Sequence, residues 1–322
     1  MPISEPLLVI TNAEAGGAVE ADGDGPDDSP LARALKVLRD HTSVEVAATA
    51  APGELDGALH RAGTRRIVVA GGDGTLHAVI AALHRRRELG VGKVLGLLPL
   101  GTGNDFARTL EIPLDPEEAA RSMVTGVIRP MDLLVDEVGG VVVNVVHLGA
   151  GAEASRRGHP WKKRLGGVGV GRLNLGKLGY PIGALLTAAD PPALRLRVEV
   201  DGEVVQDVDH RVLMVAIGNG ATVGGGTELT PDADPSDGRV DVMIARPANT
   251  FARLGYAARL PFGAHVRHED VRCLRAAQVT VSGSEFWCSA DGEIYGPGRH
   301  RSWRVEAAAY SMILPSGQAS GS

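Results

Sequence analysis

Aromatic residues make up only 3% of this 322-residue chain: four Phe, four Tyr and three Trp. Its cores must therefore be assembled from Val, Leu, Ala and Ile. Cysteine is scarcer still. Cys273 and Cys288 are too few and too poorly arranged for a disulfide framework or a cysteine-rich zinc site, and a reducing interior is the simpler expectation. No apolar run approaches the ~20 residues of a membrane span. Met1 to Ile10 has no basic stretch leading into a long apolar one, so no signal peptide is expected. A net charge of −6 argues against wholesale nucleic-acid binding, which needs a basic surface. Three phosphate or nucleophile signatures are also missing. There is no Walker A Gly-Lys-Ser/Thr, no dinucleotide Gly-x-Gly-x-x-Gly after the first strand, and no Gly-x-Ser-x-Gly elbow.

What is present is a soluble composition, 44% hydrophobic, with length for roughly two domains of about 150 residues. In the first half, apolar runs alternate with helical periodicity. Strands are expected at Leu7 to Thr11, Val44 to Ala48, Arg65 to Ala70 and Val94 to Pro99, and helices at Leu31 to Arg39, Glu54 to Arg61 and Thr75 to Glu88. That alternation predicts a parallel sheet with crossover helices. After about Met131 the pattern turns to strands: two around Gly139-Gly140, a hairpin at Asp201-Gly202, and others at His210 to Ile217, Arg239 to Ala245, Ala277 to Ser282 and Trp303 to Ala308. The expected fold is an N-terminal α/β domain over residues 1–131 and a C-terminal β-sandwich over 132–303. A last strand, near 304–315, returns to the first domain. Trp161 to Ala189 reads as loop plus helix, and the acidic loop Asp22 to Pro30 as a solvated insertion, since it lacks EF-hand spacing.

Two segments carry the chemistry. In the first, the strand Arg65 to Ala70 runs into Gly71-Gly72-Asp73-Gly74-Thr75 and then a helix. Glycines let the backbone turn sharply and approach a bulky anion, and a helix N-terminus favours phosphate oxygens. Thr75 is the expected cap of that helix. Asp73 would be repelled by phosphate, and a bridging Mg²⁺ is the usual remedy. The plainer reading is a sharp turn with Asp73 solvated. In the second segment, another apolar strand runs into Leu100-Gly101-Thr102-Gly103-Asn104-Asp105-Phe106-Ala107-Arg108. Ligands of open α/β sheets bind at that strand edge.

Here the sequence resembles a known family. Gly71-Gly72-Asp73-Gly74-Thr75 is similar to the nucleotide motif shared by diacylglycerol kinases, sphingosine kinases, NAD kinases and, more distantly, phosphofructokinases. The segment Pro99 to Arg108 looks like the lipid-kinase branch. The resemblance extends to Gly218-Asn219-Gly220, Ser236-Asp237-Gly238-Arg239 and Asp291-Gly292-Glu293, and so covers nearly the whole chain.

The resemblance implies an ATP-dependent lipid kinase that converts diacylglycerol to phosphatidic acid, with sphingoid or ceramide-type lipids and NAD as alternative substrates. It places Asn12, Thr49, Gly71, Gly72, Asp73, Gly74, Thr75, Thr102, Gly103 and Asn104 around ATP. Asp73, Asp105 and Asp132 would hold the catalytic Mg²⁺. Asp234, Asp237 and Arg239 would hold a second, structural Mg²⁺. Glu293 would be the proton acceptor, with Asp73 and Asp291 beside it among the catalytic residues. The plain reading of Asp291-Gly292-Glu293 is an Asp-Gly hairpin turn. One departure stands out. The family's first turn reads Asn-Pro-x-Ser/Ala-Gly, whereas here it is Asn12-Ala13-Glu14-Ala15-Gly16-Gly17, which points to weaker nucleotide binding or a regulator of low activity.

Between Glu153 and Asp190 there is no acidic residue, while Arg156, Arg157, Lys162, Lys163, Arg164, Arg172 and Lys177 are basic. In an acidic chain this predicts peripheral contact of 156–177 with an anionic membrane, Trp161 at headgroup level, the alternative being a solvated face or a homodimer contact. The expected location is cytoplasmic, at the inner face of the membrane.

Overall fold

The computed structural model describes residues 3, 5–12, 28–90, 92–150, 152, 194–246 and 250–317. The basic segment 156–177, most of the acidic loop and the turn residues Ala13 to Gly17 lie outside them. The chain divides into two compact units, Met1–Met131 with Ala308–Ser322, and Asp132–Ala307.

The first unit is α/β, as its alternation predicts. It contains β1 (Leu7–Asn12), α1 (Pro30–Arg39), β2 (Val44–Thr49), α2 (Pro52–Ala62), β3 (Arg66–Gly71), α3 (Asp73–Arg85), β4 (Val94–Pro99), α4 (Asp105–Thr109) and α5 (Pro116–Val124). Strands β1, β3 and β4 are largely apolar runs because a parallel sheet is covered on both faces; β1 and β3 are buried almost throughout, whereas β2, at the end of the sheet, carries Glu45 and is partly exposed. They pair in parallel in the order β2-β1-β3-β4. Three helices start on a proline at the first turn, where a missing N–H costs nothing. Ser29 caps α1 by accepting from Ala32 N, and Asp115 caps α5 by accepting from Glu117 N and Glu118 N. The helix α5 rests on the sheet where Gly96 leaves room; a Cβ there would stand 2.6 Å from Met123 Sδ.

The strand β5 (Val127–Asp136) leads into the second unit, and its residues Leu134 and Val135 form a hairpin with β6 (Val141–Val142). Then follow β7 (Val145–Gly149), β8 (Leu194–Val200), β9 (Glu203–Gln206), β10 (Arg211–Val212), β11 (Met214–Gly218), β12 (Thr222–Val223), β13 (Thr227–Glu228) and β14 (Val240–Ala245). The helix α6 (Thr250–Arg259), two 3-10 turns at Leu260–Phe262 and Ala264–Arg267, β15 (Val271–Ala276), β16 (Gln278–Ala290) and β17 (Glu293–Leu314) complete the chain.

The order β15-β14-β11-β7-β16-β17 is antiparallel. Strand β16 pairs with β8 over Val279 to Gly283 and with β7 over Cys288 to Ala290. The change of neighbour falls at an irregularity beyond Ser282, where Gly283 has φ +131°, as β-bulges allow at sheet corners. The core is aliphatic, Val198, Val215, Val240 and Val279 among its members, with Trp303 as its largest side chain. The hairpin at Asp201-Gly202 forms as predicted, both residues at positive φ. The run His210 to Ile217 is instead two strands, β10 and β11, interrupted at Leu213, and β16 and β17 are longer than expected.

Candidate active site

The tips of the parallel strands bring the first group of residues together. Gly71 pairs with Pro99, Thr11 with Ala70, and Asn12 with Thr49, so the C-terminal ends of β1, β2, β3 and β4 form one edge. The order 2-1-3-4 reverses direction between β1 and β3, which is the switch point where such sheets bind ligands. Asn12 and Gly71 flank it. Thr49 donates from Oγ1 to the Thr11 carbonyl at 3.3 Å.

The two glycine turns touch. Leu100 N donates to Gly71 O at 3.0 Å. A Cβ on Gly101 would stand 2.5 Å from Gly72 Cα, and one on Gly71 would stand 2.5 Å from Thr75 Oγ1. These glycines therefore serve the contact of backbone with backbone and with α3. Gly74 differs: beyond its chain neighbours and the backbone of its own helix, no atom among the described residues lies within 4 Å of its Cβ position. Asn104 adopts the left-handed conformation (φ 50°), which Asn tolerates. Its amide clamps the second turn, accepting from Gly101 N at 3.0 Å and donating to Gly101 O at 2.7 Å. Gly103 O accepts from Arg108 Nε at 3.1 Å. Thr102 is exposed and Asn104 is buried.

Thr75 is not the helix cap. The helix α3 begins at Asp73 with Gly72 as its N-cap, so Thr75 lies in the first turn. This start frees Asp73 for another task. Its Oδ2 accepts from Asp105 N and its Oδ1 from Phe106 N, both at 3.0 Å. The carboxylate thus caps α4, whose N–H groups offset its charge, while Phe106, 1% exposed, anchors that helix in the core.

The second group lies in the other unit. Asp132, 2% exposed, accepts from Gly238 N at 2.6 Å, and its own N–H donates to Pro235 O at 2.7 Å. The carboxylate thereby holds the loop 234–239. Within that loop Asp234 Oδ1 accepts from Ser236 N and Oγ, Asp237 Oδ1 from Arg239 N, and Asp237 Oδ2 pairs with Arg275. Asn219 Nδ2 donates to Asp132 O and Val143 O, and Asn144 O accepts from Asn219 N and Gly220 N.

Asp291 and Gly292, both at positive φ, form the hairpin turn between β16 and β17. The Asp291 carboxylate accepts from Val143 N, Asn144 N and Val145 N at 2.7, 2.9 and 3.2 Å. Glu293 opens β17, is exposed, and accepts from Tyr295 Oη at 2.7 Å. Burial and this hydrogen bond push the Tyr295 phenol well above its ordinary value, so it remains a donor. Next to this turn, burial pushes the His147 imidazole down to about 4, so it is neutral.

Asn144, Tyr295 and His147 were not singled out from the sequence; only the apolar context of Asn144 and His147, polar residues inside a valine-rich run, could have signalled them.

Among the described residues, no three His, Cys, Asp or Glu side chains stand together as a ready-made metal site. Asp73 and Asp105 are hard oxygen donors of the kind that suits Mg²⁺, and the two Asp73 oxygens accept from Asp105 N and Phe106 N. The loop 234–239 fits an ion less well. Its Asp237 carboxylate is shared between Arg275 and Arg239 N, and no ion is assigned to it.

Comparison with known proteins agrees with this layout. The model of the diacylglycerol kinase catalytic domain matches residues 6–135, and that of the YegS C-terminal NAD kinase beta sandwich-like domain matches residues 167–313. A probable lipid kinase YegS-like of Xanthomonas oryzae pv. oryzae is 32% identical over 309 residues, 91% of this chain and 94% of that protein. The diacylglycerol kinase of Bacillus subtilis is 30% identical over 254 residues, 77% of this chain and 78% of that one. A crystal structure of a putative diacylglycerol kinase from Bacillus anthracis superposes with a TM-score of 0.72, covering 97% of this chain and 96% of that one. At 22% identity it establishes the fold alone.

Proposed function

Because this chain belongs to the diacylglycerol kinase family of lipid kinases, we propose that it transfers the γ-phosphoryl group of ATP to the hydroxyl of diacylglycerol, giving ADP and phosphatidic acid. The observation that carries the reading is the open space at Gly74. The flanking glycines are explained by protein contacts, whereas Gly74, in the first turn of α3, faces room that a polyphosphate would use.

The first unit holds the nucleotide. Asn12, Thr49, Gly71 to Thr75 and Thr102 to Asn104 line its strand edge, and the first N–H groups of α3 meet phosphate oxygens. Mg²⁺, when bound by Asp73 and Asp105, neutralises phosphate charge. Glu293 serves as the general base. The lipid oxygen forms a bond to the γ-phosphorus as the bond from that phosphorus to the β–γ bridging oxygen breaks, and the hydroxyl proton passes to Glu293. Tyr295 orients that carboxylate through its 2.7 Å hydrogen bond. Asp291 positions the turn that carries it. The bare requirement is placement and charge compensation, with a base in reach.

Transfer of labelled phosphate from ATP should be measured with short-chain diacylglycerol, a sphingoid base and NAD in parallel. Diacylglycerol is expected to be the preferred acceptor, and Glu293→Gln should lower turnover by about 10²–10⁴ with no change in melting temperature. Preference for NAD, or a Glu293→Gln enzyme as active as wild type, would overturn the assignment.

A further inference from the structure

The chain has four phenylalanines. Phe106 and Phe286 are buried, at 1% and 3% exposure, whereas Phe251 and Phe262 are 87% and 80% exposed. In a protein this poor in aromatics, half of its largest purely apolar side chains stand in water, in one stretch of twelve residues. They are not scattered. The exposed positions 251, 254 and 258 recur at intervals of three and four, which is one face of α6, and the exposed position 262 closes the 3-10 turn that follows. They hold Phe251, Leu254, Ala258 and Phe262. The opposite side of the segment is already used, since Tyr256 and Leu260 are 3% and 1% exposed within a core cluster. So α6 and the following 3-10 turn are apolar on both sides, and the outward side has no reason to be so if it faces only solvent.

The charge of this segment gives the partner. From Val242 to His268 there is no Asp or Glu, while Arg246, Arg253, Arg259 and Arg267 fall within it, in a chain of net charge −6. Arg259 and Arg267 are exposed. Arg259 lays its guanidinium back along α6, donating to Gly255 O at 2.9 Å. The acidic neighbours are Glu228, whose carboxylate lies beside Gly263, and Glu269 and Asp270 just past the segment. Exposed aromatic and aliphatic side chains on one helical face, with arginines and no acid along it, are the features of an interfacial helix for an anionic bilayer.

We infer that α6 and the turn Leu260–Phe262 form a membrane-docking surface, with Phe251 and Phe262 inserting among acyl chains and Arg259 and Arg267 meeting anionic headgroups. The choice of a lipid partner rests on the lipid-kinase reading above.

The test is sedimentation of the full chain with vesicles of phosphatidylcholine, with and without phosphatidylglycerol. Wild type should favour the anionic vesicles. The Phe251→Ala/Phe262→Ala variant should lose about tenfold or more in partitioning, and Arg259→Gln/Arg267→Gln should lose the preference for anionic vesicles. Both pairs are at the surface, so melting temperature should hold, and turnover of short-chain diacylglycerol should match wild type while turnover of vesicle-borne diacylglycerol falls. Loss of less than threefold in the phenylalanine variant would overturn the inference. So would a wild-type dimer that the same variant makes monomeric with vesicle binding unchanged, since the face would then join two copies of the chain. Failure of wild type to phosphorylate short-chain diacylglycerol would reject the proposed reaction and leave the vesicle result readable by itself.

Discussion

Gly101 and Gly74 lie at opposite extremes of steric demand within the two turns. A methyl group on Gly101 would be forced to 2.5 Å from Gly72 Cα, and backbone is poorly able to yield, so Gly101→Ala should destabilise the protein by about 1–3 kcal/mol. Gly74→Ala meets nothing and sits in the first turn of α3, where alanine is the better helix former by about 0.5–1 kcal/mol. Thermal denaturation should show an equal or higher melting temperature for Gly74→Ala, while titration with ATP should show affinity reduced tenfold or more. Unchanged ATP affinity would mean that the phosphates do not approach α3 there. The glycines were legible in the sequence, but their division of labour was not, because it depends on which atoms of a second strand tip lie opposite. Asp73 shows the same limit. Its spacing signals a carboxylate near phosphate, yet the N–H groups that receive it belong to Asp105 and Phe106, more than thirty positions on.

Short elements are where pattern reading fails and side-chain clamps take over. The helix α4 has five residues, too few for periodicity to appear, and is held by the Asp73 cap and buried Phe106. The helix α5 was legible in principle through Asp115, Pro116, Glu117 and Glu118, a strong start signal. Strand β17 outran its expected start because residues 294–302 are rich in Gly, Arg and His and lack alternation. The hairpin between β16 and β17 illustrates a clamp. Its Asp291 carboxylate takes three N–H groups from Val143, Asn144 and Val145, which are 2%, 6% and 2% exposed. Asp291→Ala orphans these donors and should cost about 2–4 kcal/mol, measured by urea denaturation. Activity should fall together with stability, unlike in Glu293→Gln, whose loss is confined to turnover.

For the molecule as a whole, two groups, the half-buried Asp241 and the buried His147, tilt stability with pH in opposite senses. Burial raises the Asp241 carboxyl from 3.8 to about 6, against the pull of Arg275. The folded state then holds the extra proton between those values, and stability falls as pH rises through that window. Burial lowers His147 from 6.5 to about 4, so there the unfolded state holds the extra proton and stability rises over nearly the same range. Asp241→Asn removes the first slope. Its stability relative to wild type should increase from pH 4 to pH 6 and level off above, read from denaturation curves across that range; a difference independent of pH would mean that Asp241 titrates normally. The fold class was legible because strand–helix alternation and the later run of short strands are long-range patterns that survive local errors. The clamps and titrations were not, because each joins residues distant in sequence. Strand β17 carries one more consequence. Its residues Ser311 and Met312 pair with Val94 and Leu95 of β4, and residues 308–322 belong with the first unit. A ribosome therefore releases this strand only after all of Asp132–Ala307 has been made, so the sheet of the first unit cannot be completed during synthesis before the other unit exists.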